Sequence, residues 1–79
     1  MDQPILPFLI RERLADGRLS RHRFPRVRGG PGKGETCHGC GETVTEGQRA
    51  IEGIDASGRG VQFHVACFYV WEVERSRRA

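Results

Sequence analysis

The sequence predicts a small α+β domain organised around a bound metal ion, and three observations carry that prediction. Cys37 and Cys40 stand with two residues between them, and 23 residues further on His64 and Cys67 repeat the same spacing. Between these halves, two short runs of strand character flank a cluster of turn formers, and a run free of Gly and Pro follows the second half. The chain has 79 residues, 37% of them hydrophobic, and a single core of that size rarely supplies more than about 3–5 kcal/mol. An additional staple is therefore expected.

Disulfides are one such staple, but three cysteines cannot all pair within one chain. A reducing compartment and a metal are the better reading, which places the chain in the cytoplasm. Met1 to Ile10 lacks a basic region ahead of a long apolar run, so no targeting segment is expected. The longest apolar stretch, Val65 to Trp71, is far shorter than the roughly 20 residues a membrane-spanning helix needs.

Taken in order, Pro7 to Asp16 reads as a short helix, with Pro in the first turn, Ile10 and Leu14 on one face and Gly17 as terminator. An isolated helix below about 12 residues is marginal in water. Phe8, Ile10 and Leu14 are therefore expected to pack against another element, the C-terminal helix. Arg18 to Gly34 contains six basic residues, two prolines and four glycines, with Leu19, Phe24 and Val27 as scattered apolar anchors. It reads as an irregular arm, and the division expected is residues 1–34 as short helix plus basic arm and 35–79 as the metal module.

Gln48 to Ile54 and Gly60 to His64 read as a hairpin joined across Asp55-Ala56-Ser57-Gly58-Arg59. Val65 to Arg78 reads as the closing helix, with Arg75, Arg77 and Arg78 where the negative end of the helix dipole favours cations. Phe68 and Trp71 are expected to pack on Ile10, Leu14, Val61 and Phe63.

The ligand pattern points to one structural zinc ion held by Cys37, Cys40, His64 and Cys67. Zinc favours tetrahedral sites of nitrogen and sulfur, and four protein ligands leave no open position for catalysis. In the first half, Gly39 and Gly41 allow a tight turn that aims both sulfurs inward. In the second, His64 and Cys67 share one face of a helical turn, whose N-terminus favours a thiolate. A dithiol redox site and an unliganded core are the competing readings. His38 reads as a solvent-facing turn residue, and His22 as exposed.

These residues resemble a known family. Cys37-His38-Gly39-Cys40-Gly41-Glu42, a hairpin, and Phe63-His64-Val65-Ala66-Cys67-Phe68 look like the first zinc module of a LIM domain. The resemblance implies a treble-clef-like fold, in which a zinc knuckle and a β-hairpin are followed by a helix bearing the last two ligands. It covers Thr36 to Trp71, about half the chain. LIM domains continue into a second zinc module, whereas here Val70 stands where its first cysteine would fall and no later cysteine exists. A single-zinc relative in shape is implied, a small bacterial protein outside the two-zinc family proper.

Charge divides along the chain: +5 over residues 1–34, −3 over 35–68 and +1 over the rest. Twelve of the thirteen basic residues are Arg, which suits bidentate contact with phosphate or carboxylate, unless Arg is merely abundant in the source's proteins. One expectation is a nucleic-acid-associated, regulatory module in which Arg11, Arg13, Arg18, Arg21, Arg23, Arg26 and Arg28 contact phosphates. The alternative is a LIM-like protein–protein adaptor that does not bind nucleic acid. An enzyme is not expected, because a closed site has no water to activate and no paired carboxylates or nucleophile–base set accompany it; a small-molecule substrate is not expected either.

Overall fold

A computed structural model describes residues 5–77. In chain order it contains α1 (Ile5–Ala15), β1 (Arg26–Pro31), β2 (Glu35–Thr36), β3 (Thr43–Val44), β4 (Arg49–Ile54), β5 (Gly60–His64) and α2 (Val65–Arg75). The strands form an antiparallel sheet in the order β1-β4-β5 and a separate ribbon of β2 with β3. The result is a small α+β domain with two helices and two sheets. No helix among the described residues is long and apolar enough to cross a membrane.

α1 turns Ile10 and Leu14 into the core, where both are buried. Gly17, at φ 87°, reverses the chain after the helix, and the Leu19 amide returns to the Arg13 carbonyl at 2.9 Å. This left-handed stop is the termination that Gly permits at little cost. It delivers Leu19 into the core. Phe8 departs from the expectation: it is 53% exposed, because the inward face of α1 runs through Ile10 and Leu14.

The residues read as an irregular arm are partly a strand. β1 pairs along its whole length with β4, from Arg26 opposite Ile54 to Pro31 opposite Arg49. Its anchor is Phe24, just before the strand, whose ring lies 4.8 Å from that of Trp71. A Cβ at Gly53 would come within 2.4 Å of the Phe24 ring, so the absence of a side chain near the end of β4 is what lets Phe24 lie across the sheet. The strand was illegible because its side chains do not alternate in character; backbone pairing and one aromatic anchor order it. Val27 contributes little, being 49% exposed.

The β4–β5 hairpin forms as expected, starting one residue later, at Arg49. Asp55 Oδ1 accepts hydrogen bonds from the amides of Ser57 and Arg59 and from the Ser57 hydroxyl. These donors, the hydroxyl foremost, hold the Asp55 carboxyl below its ordinary range. β5 then runs directly into α2, which carries Cys67, Phe68, Trp71 and Glu74 inward.

Trp71 is the centre of the core. Its ring stands 5.6 Å from Phe63 and 5.4 Å from Phe68, and its indole N–H donates to the Ser20 carbonyl at 2.8 Å. Buried aromatics so arranged gain from edge and face contacts beyond area burial. α2 ends at Arg75 instead of Arg78, where the Ser76 hydroxyl donates to the carbonyls of Glu72 and Val73. Arg77 therefore lies beyond the helix, and Arg78 lies outside the described residues. Among the described residues one charged side chain is buried: Glu74, 4% exposed, accepts from Arg11 at 2.8 Å and pairs with Arg77 at 3.1 Å. Arg11 thereby joins the two helices, and its hydrogen bond holds the Glu74 carboxyl below the ordinary carboxylate range.

Candidate metal centre

The β2–β3 ribbon shapes the first half of the site. The Cys37 amide donates to the Glu42 carbonyl at 2.8 Å and the Gly41 amide to the Cys37 carbonyl at 2.9 Å, closing a tight turn that carries Cys37 and Cys40 on one side. Gly41 sits at φ 86°, where a Cβ is strained. Gly39 has another reason to be small: a Cβ there would stand 3.0 Å from that of Cys67 and 3.4 Å from Ile10. The knuckle is thus pressed against both helices at once.

The second half comes from the β5–α2 junction. His64 is the last residue of β5 and the N-cap of α2, extended at φ −62° and ψ 153°, with Cys67 three residues inside the helix. The expected helical turn therefore begins one residue after His64. The four candidate ligand atoms, from Cys37, Cys40, His64 and Cys67, all lie within 4.8 Å of one another. His64 Nδ1 is 3.4 Å from Cys40 Sγ and 3.8 Å from Cys67 Sγ. One such cluster fits a single metal ion.

The surroundings suit anionic sulfur. Cys37 Sγ accepts from the amides of Gly39 at 3.3 Å and His64 at 3.4 Å, and Cys40 Sγ accepts from the Glu42 amide at 3.4 Å. A hydrogen bond from Cys67 does most to bring the Cys37 thiol down to about 4, with these backbone donors adding to it against the effect of burial. Cys67, whose proton is held toward Cys37, is pushed up, and burial raises Cys40. Three thiols this close cannot all ionise against one another; a cation among them removes that conflict.

His64 is oriented from behind. Its Nε2 lies 3.2 Å from the Thr43 carbonyl and 3.2 Å from Gln48 Oε1. Both are acceptors, so Nε2 carries the proton and Nδ1 presents its lone pair toward the sulfurs. The sequence gives no position for these acceptors; the general need of a ligating His for one was the only signal. His38, read as solvent-facing, is instead partly buried and clamps the knuckle to the sheet. Its amide donates to the Gln62 carbonyl at 2.8 Å, and its Nδ1 accepts from the Gln62 amide at 3.1 Å. It is not among the clustered ligands. His22 is exposed, as expected.

The seven arginines do not form one array. Arg11 serves Glu74, Arg18 pairs with Asp16, and Arg28 pairs with Glu52. Arg13 donates to the Gly39 carbonyl and so braces the knuckle. Arg21, Arg23 and Arg26 are exposed and have no ion-pair partner among the described residues. Comparison of the chain with family models, with curated proteins and with solved structures finds no match.

Proposed function

We propose that the chain is a structural zinc module that serves as an adaptor for another protein. The observation that carries the metal reading is the closed set of four soft and borderline donors, with a Nδ1 lone pair aimed at the sulfurs. Zinc bonds of about 2.3 Å to sulfur and 2.0–2.1 Å to nitrogen put the edges of a tetrahedron at about 3.5–3.8 Å. The Nδ1 to sulfur separations of 3.4 and 3.8 Å sit beside those values. Bound there, zinc supplies crosslinking and charge neutralisation. The sequence of knuckle, hairpin and helix supports a treble-clef-like arrangement resembling the first LIM module. Three unpaired thiols favour a reducing compartment, hence the cytoplasm. Four ligands from the chain leave no place for a reacting group, which is why no enzymatic role is proposed.

The adaptor reading gains on the nucleic-acid reading because Arg11 and Arg13 are committed within the protein, to the buried Glu74 and to the Gly39 carbonyl. The nucleic-acid reading rests on Arg18, Arg21, Arg23, Arg26 and Arg28, of which Arg18 and Arg28 make only exposed pairs. Intact mass under native and denaturing conditions tests the metal: a difference of one zinc per chain is expected, and no difference removes the proposal. Retention on generic RNA or DNA at low salt and release at high salt would favour the nucleic-acid reading instead. The adaptor reading expects retention at neither.

A further inference from the structure

The two edges of the three-stranded sheet are treated differently. The Gly32 amide donates to the Gln48 carbonyl at 2.8 Å, one residue beyond the Pro31–Arg49 rung. Antiparallel ladders alternate, so Gly30, Arg28 and Arg26 direct their backbone groups at β4, while Val27 and Gly29 direct theirs outward. The same alternation turns Gly60, Gln62 and His64 outward on β5; beyond Gly60, at the hairpin turn, the Gln62 amide and carbonyl are taken by His38 and the His64 amide by Cys37 Sγ. On β1 the outward amides and carbonyls of Val27 and Gly29 have no partner among the described residues.

Glycine itself is unexplained there. A Cβ at Gly30 would meet nothing within 4 Å, and one at Gly29 only the Ala50 carbonyl at 3.7 Å; neither residue has positive φ. Glycine in a strand costs stability and marks a place where another backbone comes close. Beside the strand, on one face of the sheet, lies a depression of about 300 Å³ lined in part by Arg28, Gly30, Lys33, Glu52 and Gln62. Arg21, Arg23 and Arg26 lead into the strand, and Arg28 is 76% exposed despite its pairing with Glu52, a solvent-screened surface pair that is easily exchanged.

Resting on the adaptor reading, we infer that β1 accepts an acidic extended peptide from a protein partner as a fourth strand. Main-chain hydrogen bonds to Val27 and Gly29 hold the added strand, and its carboxylates meet Arg26, Arg28 and Lys33. A second copy of this chain is disfavoured as occupant, since it would bring two arginine-bearing edges together.

The test uses the full chain loaded with one equivalent of zinc, and three probes: a blocked octapeptide of alternating Glu and Val, its Lys counterpart, and a generic RNA duplex. The acidic peptide is expected to slow hydrogen exchange at the Val27 and Gly29 amides, and the Lys peptide to bind about tenfold more weakly or less. Gly29→Pro removes an outward donor the fold does not use, at an edge where Pro is tolerated, and is expected to weaken the acidic peptide by about tenfold. The amide spectrum of that variant shows whether it is folded; the double variant Arg26→Glu, Arg28→Glu, which leaves the backbone groups intact, should reverse the charge preference. Absence of protection at Val27 and Gly29 up to millimolar acidic peptide overturns the inference. Protection elsewhere overturns it while leaving the adaptor reading standing, and salt-sensitive binding of the duplex with neither peptide bound overturns both.

Discussion

The part of the chain that carries the candidate metal site, from β2 through the start of α2, and the segment from α1 through β1 are held by different physics. In the first, four side chains must converge within 4.8 Å, and only a few local conformations satisfy that demand. In the second there is no ligand; order comes from Ile10, Leu14, Leu19 and Phe24 reaching the core and from β1 reading the backbone of β4. Directional bonds leave their signature in residue identity and spacing. Packing on a surface made elsewhere leaves much less.

The comparison breaks first at the metal. Cys40→Ser is expected to leave a chain without stable tertiary structure in either region, because the core of the second is built on elements positioned by the first. Loss of near-ultraviolet circular dichroism checks this; if the variant keeps its signal, the two regions are less dependent than described.

A smaller effect is expected at the junction. Trp71→Ala removes the ring that Phe24 covers and the donor to Ser20, and should cost about 3–5 kcal/mol in denaturant unfolding of the zinc-loaded chain. Protection of the β1 amides should fall more than that of the knuckle amides, which sharpens the contrast between coordination and packing.

The smallest concerns the helix pairing. Glu74→Gln weakens the contact with Arg11 and Arg77 and should cost about 1–3 kcal/mol. Because the Glu74 carboxyl is held below its ordinary value of 4.5, its contribution is fully present above that pH and is lost only as pH falls through the lower folded value. Between pH 7 and 5 the variant and the parent chain should therefore lose stability in parallel. A gap that closes above pH 5 would refute this assignment.

The two regions also differ in how far the sequence revealed them. The convergence of Cys37, Cys40, His64 and Cys67, the hairpin and the inward-facing Phe68 and Trp71 were legible, since Cys and His spacing and apolar periodicity encode them directly. β1 was not, because Gly29, Gly30 and Pro31 signal irregular chain while they stand in regular register with β4. The role of His38 was hidden for the opposite reason: a polar residue in a turn reads as solvated unless its partner, Gln62, is known to lie beside it. Gln48, just ahead of β4, and Thr43, the first residue of β3, orient His64 but are ordinary polar residues until the ring is placed.

The most direct test is a zinc titration of the chelator-treated full chain, following Trp71 fluorescence together with amide exchange in β1. Both signals should appear in step and break at one equivalent of zinc. A metal-free chain that already shows the native fluorescence and protected β1 amides would contradict the account.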